Sequence, residues 1–440
     1  MDTLLTRRQV LQSATLVGLA TLFPGVVGAG EFLRMVRSGR ILILLEFEGG
    51  NDGINTIVPY ADPIYASKRP APLRLTVGNT DFRNEVIPFD PTVVTGSDRL
   101  PFSTVAQGAA FAPSGFGIHA GLEALRPAWQ NGELAIVQGV GYAKPNRSHF
   151  RGINILSTAQ TDEQPLTSTG WLGRMFTLEG SAGGAADGII QSRFKNNGAS
   201  ATGVRLISFS SPNSYLTQTQ GIPDPTQAQL DAAAGNPGLL HLLTQQKNAR
   251  GARAAMTTAV GTPPRFTQTF PNNDLGRQAW YTAQCIAGGL ACSVYKIKIG
   301  GFDTHTEQVV PHANLLKTVA DALAALRAAL IEKELWNNVL ITTLSEFGRR
   351  LEMNGSNGTD HGTAAPHFFL GGKVQGGFYG TYPSLSTLDS RGDLIYNVDF
   401  RQMYATCGKW LGVSDANIDA ALPPVTGQSA FTPVPAVNWA

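Results

Sequence analysis

Apolar residues run nearly unbroken from Ile41 to Phe47 and stop at Gly49-Gly50, the pattern of a strand buried on both faces in a parallel sheet. Positions 134–140 repeat it after a helix-like stretch at 121–130, positions 294–299 repeat it ahead of Gly300-Gly301, and positions 339–344 make a fourth. Between the last two, Leu315, Leu316, Val319, Leu323, Leu326 and Leu330 recur at three- and four-residue intervals within 309–336, predicting an amphipathic crossover helix. Strand, helix and strand make a βαβ unit. The expected class is therefore α/β, with a mostly parallel central sheet flanked by helices.

The stretch 191–274 breaks this rhythm with Gly, Asn, Ser and Thr and an Ala-rich helical run at 226–257, and it reads as a loop and helix cap inserted on the sheet. Residues 421–440 are Pro-rich and read as a loosely attached tail, leaving 30–420 as a single domain without an internal repeat. The first residues read as an address. Thr6-Arg7-Arg8-Gln9-Val10-Leu11-Gln12 precedes an uncharged stretch, 13–29, that closes on Val27-Gly28-Ala29, small residues of the kind signal peptidase prefers. The pattern resembles a twin-arginine signal over 1–29, cleaved after Ala29, which makes the twin-arginine translocase a partner during export. It places the mature chain in the periplasm or outside the cell. With two Thr, three Gly and one Pro, the uncharged stretch is short and weakly apolar for a span of about 20 residues, so no stable membrane span is expected in the mature chain.

Composition narrows the function classes. A chain with 42% hydrophobic and 15% charged residues folds, which excludes disorder as its main state. Lys and Arg number 34 against 32 Asp and Glu, a formal charge of +2 with no basic cluster, so nucleic acid is not an expected partner. Cys285 and Cys292 stand about 10.5 Å apart along a helix, too far for a disulfide, and with Cys407 they form an odd set whose expected role is packing.

In a parallel sheet all carboxyl ends share one edge, where ligands bind. After the four strands come Gly49-Gly50-Asn51-Asp52-Gly53, Asn146-Arg147-Ser148-His149-Phe150, Gly301-Phe302-Asp303-Thr304-His305 and Ser345-Glu346-Phe347-Gly348-Arg349. Thr359-Asp360-His361-Gly362 comes next, with His367 close behind. Carboxylates and imidazoles without paired thiolates suit Zn or Mn, as one ion or two, rather than an iron–sulfur cluster. The candidate ligands are Asp52, His149, Asp303, His305, Glu346, Asp360, His361 and His367, with His312 in reserve. Ser148 alone reads as a helix cap. Beside these residues it also reads as a nucleophile whose alkoxide a helix N-terminus and a cation would stabilise, with Arg147 or Arg349 to steady an anion.

Taken in order, Leu-Glu-Phe-Glu-Gly-Gly-Asn-Asp-Gly at 45–53, Asn-Arg-Ser-His-Phe at 146–150, Gly-Phe-Asp-Thr-His at 301–305, Ser-Glu-Phe-Gly-Arg at 345–349, Gly-Thr-Asp-His-Gly at 358–362, Leu-Gly-Gly-Lys-Val-Gln-Gly-Gly at 370–377 and Val-Asp-Phe-Arg-Gln-Met-Tyr at 398–404 resemble the DUF1501 family of exported bacterial proteins. That family is similar to the alkaline phosphatase and sulfatase superfamily, and the resemblance spans nearly the whole mature chain. It implies an alkaline-phosphatase-like fold in which Asp52 bridges toward the nucleophile Ser148, and Asp303 and His305 are ligands. Two alignments of the remaining ligands stay open. In one, Asp360-His361 is the paired Asp-His and His367 the last histidine. In the other, Glu346 replaces the Asp, His361 is the last histidine, and Phe347 stands where a ligand is expected unless His149 replaces it. The Asp303 to His305 interval is shorter than such enzymes have, so His312 competes with His305. The cysteine-based activation motif of sulfatases is missing around Ser148.

The implied function is metal-dependent hydrolysis of a small anionic ester, phosphate or a related sulfate or phosphonate, with Ser148 or a metal-bound water as nucleophile. The alternative is a non-catalytic, metal-stabilised periplasmic protein that binds an envelope component. No dinucleotide Gly-x-Gly-x-x-Gly stands after the first strand, which counts against an oxidoreductase.

Overall fold

The structure, a computed structural model, describes residues 39–93, 99–102, 114–164, 167–179, 188–190, 206–261, 265–425 and 429–439. The export signal expected over 1–29 lies outside these residues, as do 191–205 and 262–264 of the expected cap. The central sheet contains β1 (Ile41–Glu48), β2 (Leu134–Gly141), β3 (Gly188–Ile190), β4 (Leu206–Ser208), β5 (Val294–Gly300), β6 (Val339–Leu344), β7 (Ala365–Gly371), β8 (Gly377–Tyr379) and β9 (Val398–Asp399). Its order is β8-β2-β7-β6-β1-β5-β3-β4, with β9 also on β2.

β1 is parallel to both neighbours, with Ile41 opposite Val339 of β6 and Leu42 opposite Val294 of β5. Among these strands only β7 runs against the rest, between β6 and β2. β2 therefore points the same way as β1, and the carboxyl ends of β1, β2, β5 and β6 share one edge as the sequence predicts. The βαβ unit also forms: α4 (Val309–Glu332) carries the chain from β5 across β1 to β6.

Side chains along β1 alternate between two cores, as period-2 geometry requires. Ile43, Leu45 and Phe47 join a cluster with residues of α2 (Pro237–Gly261), α3 (Asp274–Ala287) and α4. Leu42 and Leu44 face a second cluster with residues of α1 (His149–Thr158) and α5 (Phe400–Trp410). The sheet is thus mixed α/β with helices on both faces. The expected Ala-rich helical run at 226–257 is broken into a short helix, Gln227–Ala232, and α2, which runs on to Gly261, and Ala252, Met256 and Ala259 place α2 in the first core.

A second, small sheet pairs Ile57–Val58, Gly117–His119, Glu85–Pro88 and Thr76–Val77, which the hydrophobic pattern did not reveal because these strands are two to four residues long. The Pro-rich end is not loose in its described part: Ala436 and Val437 are buried, and Arg40 donates to the Trp439 carbonyl at 2.6 Å. Cys285, Cys292 and Cys407 are buried thiols that form no disulfide, although α3 ends at Ala287, short of Cys292. Among the described residues no helix is long and apolar enough to cross a membrane.

Candidate metal centre

Glycines let the loops at the carboxyl edge close on one another. Gly49 has φ +119°, and a Cβ there would lie 2.3 Å from the Asp303 nitrogen, so any side chain would push the β1 loop off the β5 loop. Gly358 is equally confined, since its Cβ would fall 2.3 Å from the His305 carbonyl. Gly49 N–H donates to Glu346 Oε1 at 2.8 Å, and Arg349 bridges to His361 in antiparallel register. Four segments distant in sequence are thereby held together.

Three histidines meet at Asp303, and their outer partners define their protonation. His149 Nδ1 lies 2.8 Å from Glu346 Oε1, His305 Nδ1 3.1 Å from Asp360 Oδ1, and His361 Nδ1 2.9 Å from the Arg147 carbonyl. Carboxylate and carbonyl oxygens only accept, so each ring carries its proton on Nδ1 and, when neutral, presents an Nε2 lone pair. Those lone pairs converge. His149 Nε2 is 3.4 Å from Asp303 Oδ2, while His305 Nε2 and His361 Nε2 are 3.1 and 3.0 Å from Asp303 Oδ1. His305 Nε2 and His361 Nε2 are only 3.0 Å apart.

Lone pairs so arranged repel unless a positive charge stands among them. Protonating all three rings would set imidazolium against imidazolium, and burial pushes the His361 pKa below its ordinary value. A divalent cation satisfies every group at once. The donor atoms of His149, Asp303 and His361 lie within 4.8 Å of one another, and His149 Nε2 and Glu346 Oε2 are buried without a hydrogen-bond partner. Histidines that ligate through one nitrogen and donate the other to a carboxylate or carbonyl are the usual outer arrangement of a metal site. Two imidazoles and a carboxylate with room for water match Zn or Mn chemistry. Phe347 walls the site, with its ring centroid 5.0 Å from that of His149 and 4.5 Å from that of His361.

Asp303 is kept ionised. Partial burial alone would raise its pKa, but the hydrogen bond and the positive charge of Arg349 outweigh that and hold it at about 2. Arg349 is itself buried and donates to the carbonyls of Gly49, Gly50, Phe302 and Thr359 as well as to Asp303. It ties the loops together, and its donors are not free to steady a substrate anion. Arg147 is likewise engaged, with Asp393 and, at 3.6 Å, with Asp389. Arg349 thus serves the frame rather than an anion, while Arg147 is tied to the frame through Nη2.

Two expected ligands stand elsewhere. Asp52 is fully buried against Arg69, which reaches Oδ2 at 2.5 Å and Oδ1 at 2.9 Å. Burial would raise its pKa, but the guanidinium reverses this and holds it below the ordinary value. Gln308 Nε2 also donates to Oδ2, and the Ile54 and Asn55 N–H groups to Oδ1, so this carboxylate has no lone pairs to spare for a metal. His367 sits on antiparallel β7, 3.3 Å from Thr343 Oγ1, with burial pressing its pKa down to about 4. His312, the reserve candidate, points Nε2 at Asn51 Oδ1 at 3.0 Å.

Ser148 is exposed at the start of α1, and its side chain makes no cap hydrogen bond. The bland explanation of this serine as a cap therefore fails. Sequence reasoning missed Arg69 and Gln308, the partners of Asp52, because nothing in their local pattern distinguishes them from ordinary loop residues.

The profile described as "Protein of unknown function (DUF1501)" matches residues 40–418. No curated protein matches the chain. Among solved structures, the chain is similar at 12% identity to the PsFucS1 sulfatase from Pseudoalteromonas sp., covering 98% of this chain and 75% of that one with a TM-score of 0.39. It is similar at 11% identity to a phosphonate monoester hydrolase from Silicibacter pomeroyi, covering 70% of this chain and 72% of that one with a TM-score of 0.30.

Proposed function

The chain belongs to the DUF1501 family, and from that premise we propose that it is an exported, metal-dependent hydrolase of phosphate or related sulfate or phosphonate esters. The convergence of three Nε2 lone pairs on Asp303 carries the reading. His149, Asp303 and His361 would hold the cation, with His305 beside them, and Glu346, Asp360 and the Arg147 carbonyl would orient the rings. A divalent cation there supplies Lewis-acid polarisation of the ester and lowers the pKa of bound water.

The chain's own part is to place that charge and to offer Ser148. The exposed hydroxyl, next to His149 in sequence, gives its proton to solvent and attacks the phosphorus or sulfur; the ester bond breaks and its oxygen leaves as an alcohol with a proton from water, and a second water later splits the Ser148 ester, restoring the hydroxyl and releasing the anion. Free amide donors of the first turn of α1 favour the negative charge that develops.

One observation favours the second reading, a non-catalytic metal-stabilised binding protein: all three guanidinium nitrogens of Arg349, and Nη2 of Arg147, are engaged within the protein. Elemental analysis of the purified mature protein tests both. With Asp52 occupied by Arg69, the donor set supports one Zn or Mn ion per chain rather than two. Absence of any transition metal would overturn both readings. Turnover of a panel of phospho-, sulfo- and phosphonate esters by the metal-loaded protein, against metal-dependent melting without turnover, decides between them.

The address is part of the proposal. Changing Arg7 and Arg8 together to Lys blocks export, because the translocase reads paired guanidinium groups and not merely charge. Unchanged accumulation in the periplasm of the mature chain made from the double variant would overturn it.

A further inference from the structure

We infer that Gln308 is a positioning residue that fixes the spacing of the two loops carrying the cation ligands, using the buried Asp52–Arg69 pair as its anchor. The inference rests on the cation-centre reading and extends it to residues that touch no ligand atom.

Gln308 is fully buried at the start of α4. Its Oε1 accepts from Thr304 Oγ1 at 3.1 Å and from Thr359 Oγ1 at 2.5 Å, and its Nε2 donates to Asp52 Oδ2. Thr304 lies between Asp303 and His305, and Thr359 immediately precedes Asp360 and His361. One amide thus holds the β5 loop and the loop before β7 by the residues adjoining their ligands. The backbones repeat the connection, since Thr359 N–H donates to the Thr304 carbonyl at 3.2 Å and Gln308 N–H to the Asn357 carbonyl at 3.0 Å.

The amide needs a rigid support, and Asp52 supplies it. Its carboxylate is locked by Arg69, which also donates to the carbonyls of Leu351 at 3.0 Å and Arg350 at 2.8 Å, in the chain that leads into the second loop. Asp52 further accepts from Ile54 N–H at 3.2 Å, which fixes it to the turn after β1. Only an amide fits between these groups. It must accept from two hydroxyls and donate to a carboxylate, which neither a carboxylate nor an amine at position 308 does. Metal ligands held by outer partners in this way lose about 10- to 100-fold in affinity when such a partner is removed.

The test compares Gln308→Met and Thr359→Val, which keep volume and remove the hydrogen bonds, with Thr359→Ser, which keeps a hydroxyl. Titration of the metal-free proteins with Co²⁺ gives the affinity and, through its visible bands, the ligand geometry. The expected result is a loss of about 10- to 100-fold in Gln308→Met and Thr359→Val, altered bands, a double variant no weaker than either single one, and parental behaviour in Thr359→Ser. Amide hydrogen exchange of the metal-free proteins gives a readout that needs no cation: segments 302–308 and 354–361 exchange faster together in Gln308→Met, while β1 and β6 do not. Parental Co²⁺ affinity and bands in Gln308→Met, or unchanged exchange in both segments, overturn the inference. A parent that binds no Co²⁺ overturns the cation centre instead, and the exchange data still decide whether Gln308 holds the loops.

Discussion

Asp303→Asn and His361→Ala each lose the bound cation and the stability that comes with it. A ligand that binds only the folded state stabilises it by about 2.7 kcal/mol when its free concentration is 100 times Kd, and the variants forgo that contribution. Asp303→Asn does the greater damage, because it removes the one negative charge toward which three Nε2 atoms and Arg349 point. The measurement is metal content with melting temperature, each with and without chelator. The unmutated protein melts lower with chelator, and the variants melt alike under both conditions. Chelator-independent melting of the unmutated protein would show that these residues hold no metal. The same reasoning sets the pH dependence. The ligating rings must be neutral, so protons compete as pH falls, and the lowered pKa of His361 keeps that ring available to below the ordinary histidine range.

Ser148→Ala removes turnover by several orders of magnitude while leaving fold and metal in place. A serine acting as a helix cap would instead cost about 1 kcal/mol of stability on replacement by Ala, but the Ser148 side chain makes no such hydrogen bond, so melting stays at the parental temperature. Ser148→Thr keeps a hydroxyl and retains some rate. If Ser148→Ala hydrolyses the ester as fast as the parent, water is the attacking group and the covalent step is wrong.

Much of this was legible in the chain. The nearly unbroken apolar runs located β1, β2 and β6, because strands buried on both faces need no polar alternation, while β5 is apolar apart from Lys296 and Lys298, which pair with Glu46 and Glu48 of β1. The residues just past each run then pointed to His149, Asp303, His305 and Glu346, since parallel strands deliver their ends to one edge. Asp52 and His367 misled for opposite reasons. Asp52 occupies the expected strand end, but its partner Arg69 lies in a segment with no periodicity to place it. His367 stands close behind His361 in sequence, yet Pro366, Phe368 and Phe369 carry it into β7, where antiparallel pairing fixes it beside Thr343. The arginines were legible as charges near the site. That their donors face backbone carbonyls and carboxylates is a property of folded loops alone.

The place of β1 in the middle of the sheet bears on how the chain acquires its shape. Its two partners are β5 and β6, with Leu42 opposite Val294 and Ile41 opposite Val339, so this strand, the first among the described residues, waits for most of the sequence before either side is covered. Contacts this remote along the chain make folding slow, because the entropy of closing so long a loop is lost before the pairing compensates it. Ile41, Leu42, Ile43, Leu44 and Leu45 stay exposed through that interval, an apolar segment prone to aggregation during synthesis. Truncation anywhere before β6 leaves β1 with a bare edge, and fragments ending there should be found in aggregates rather than as smaller folded units.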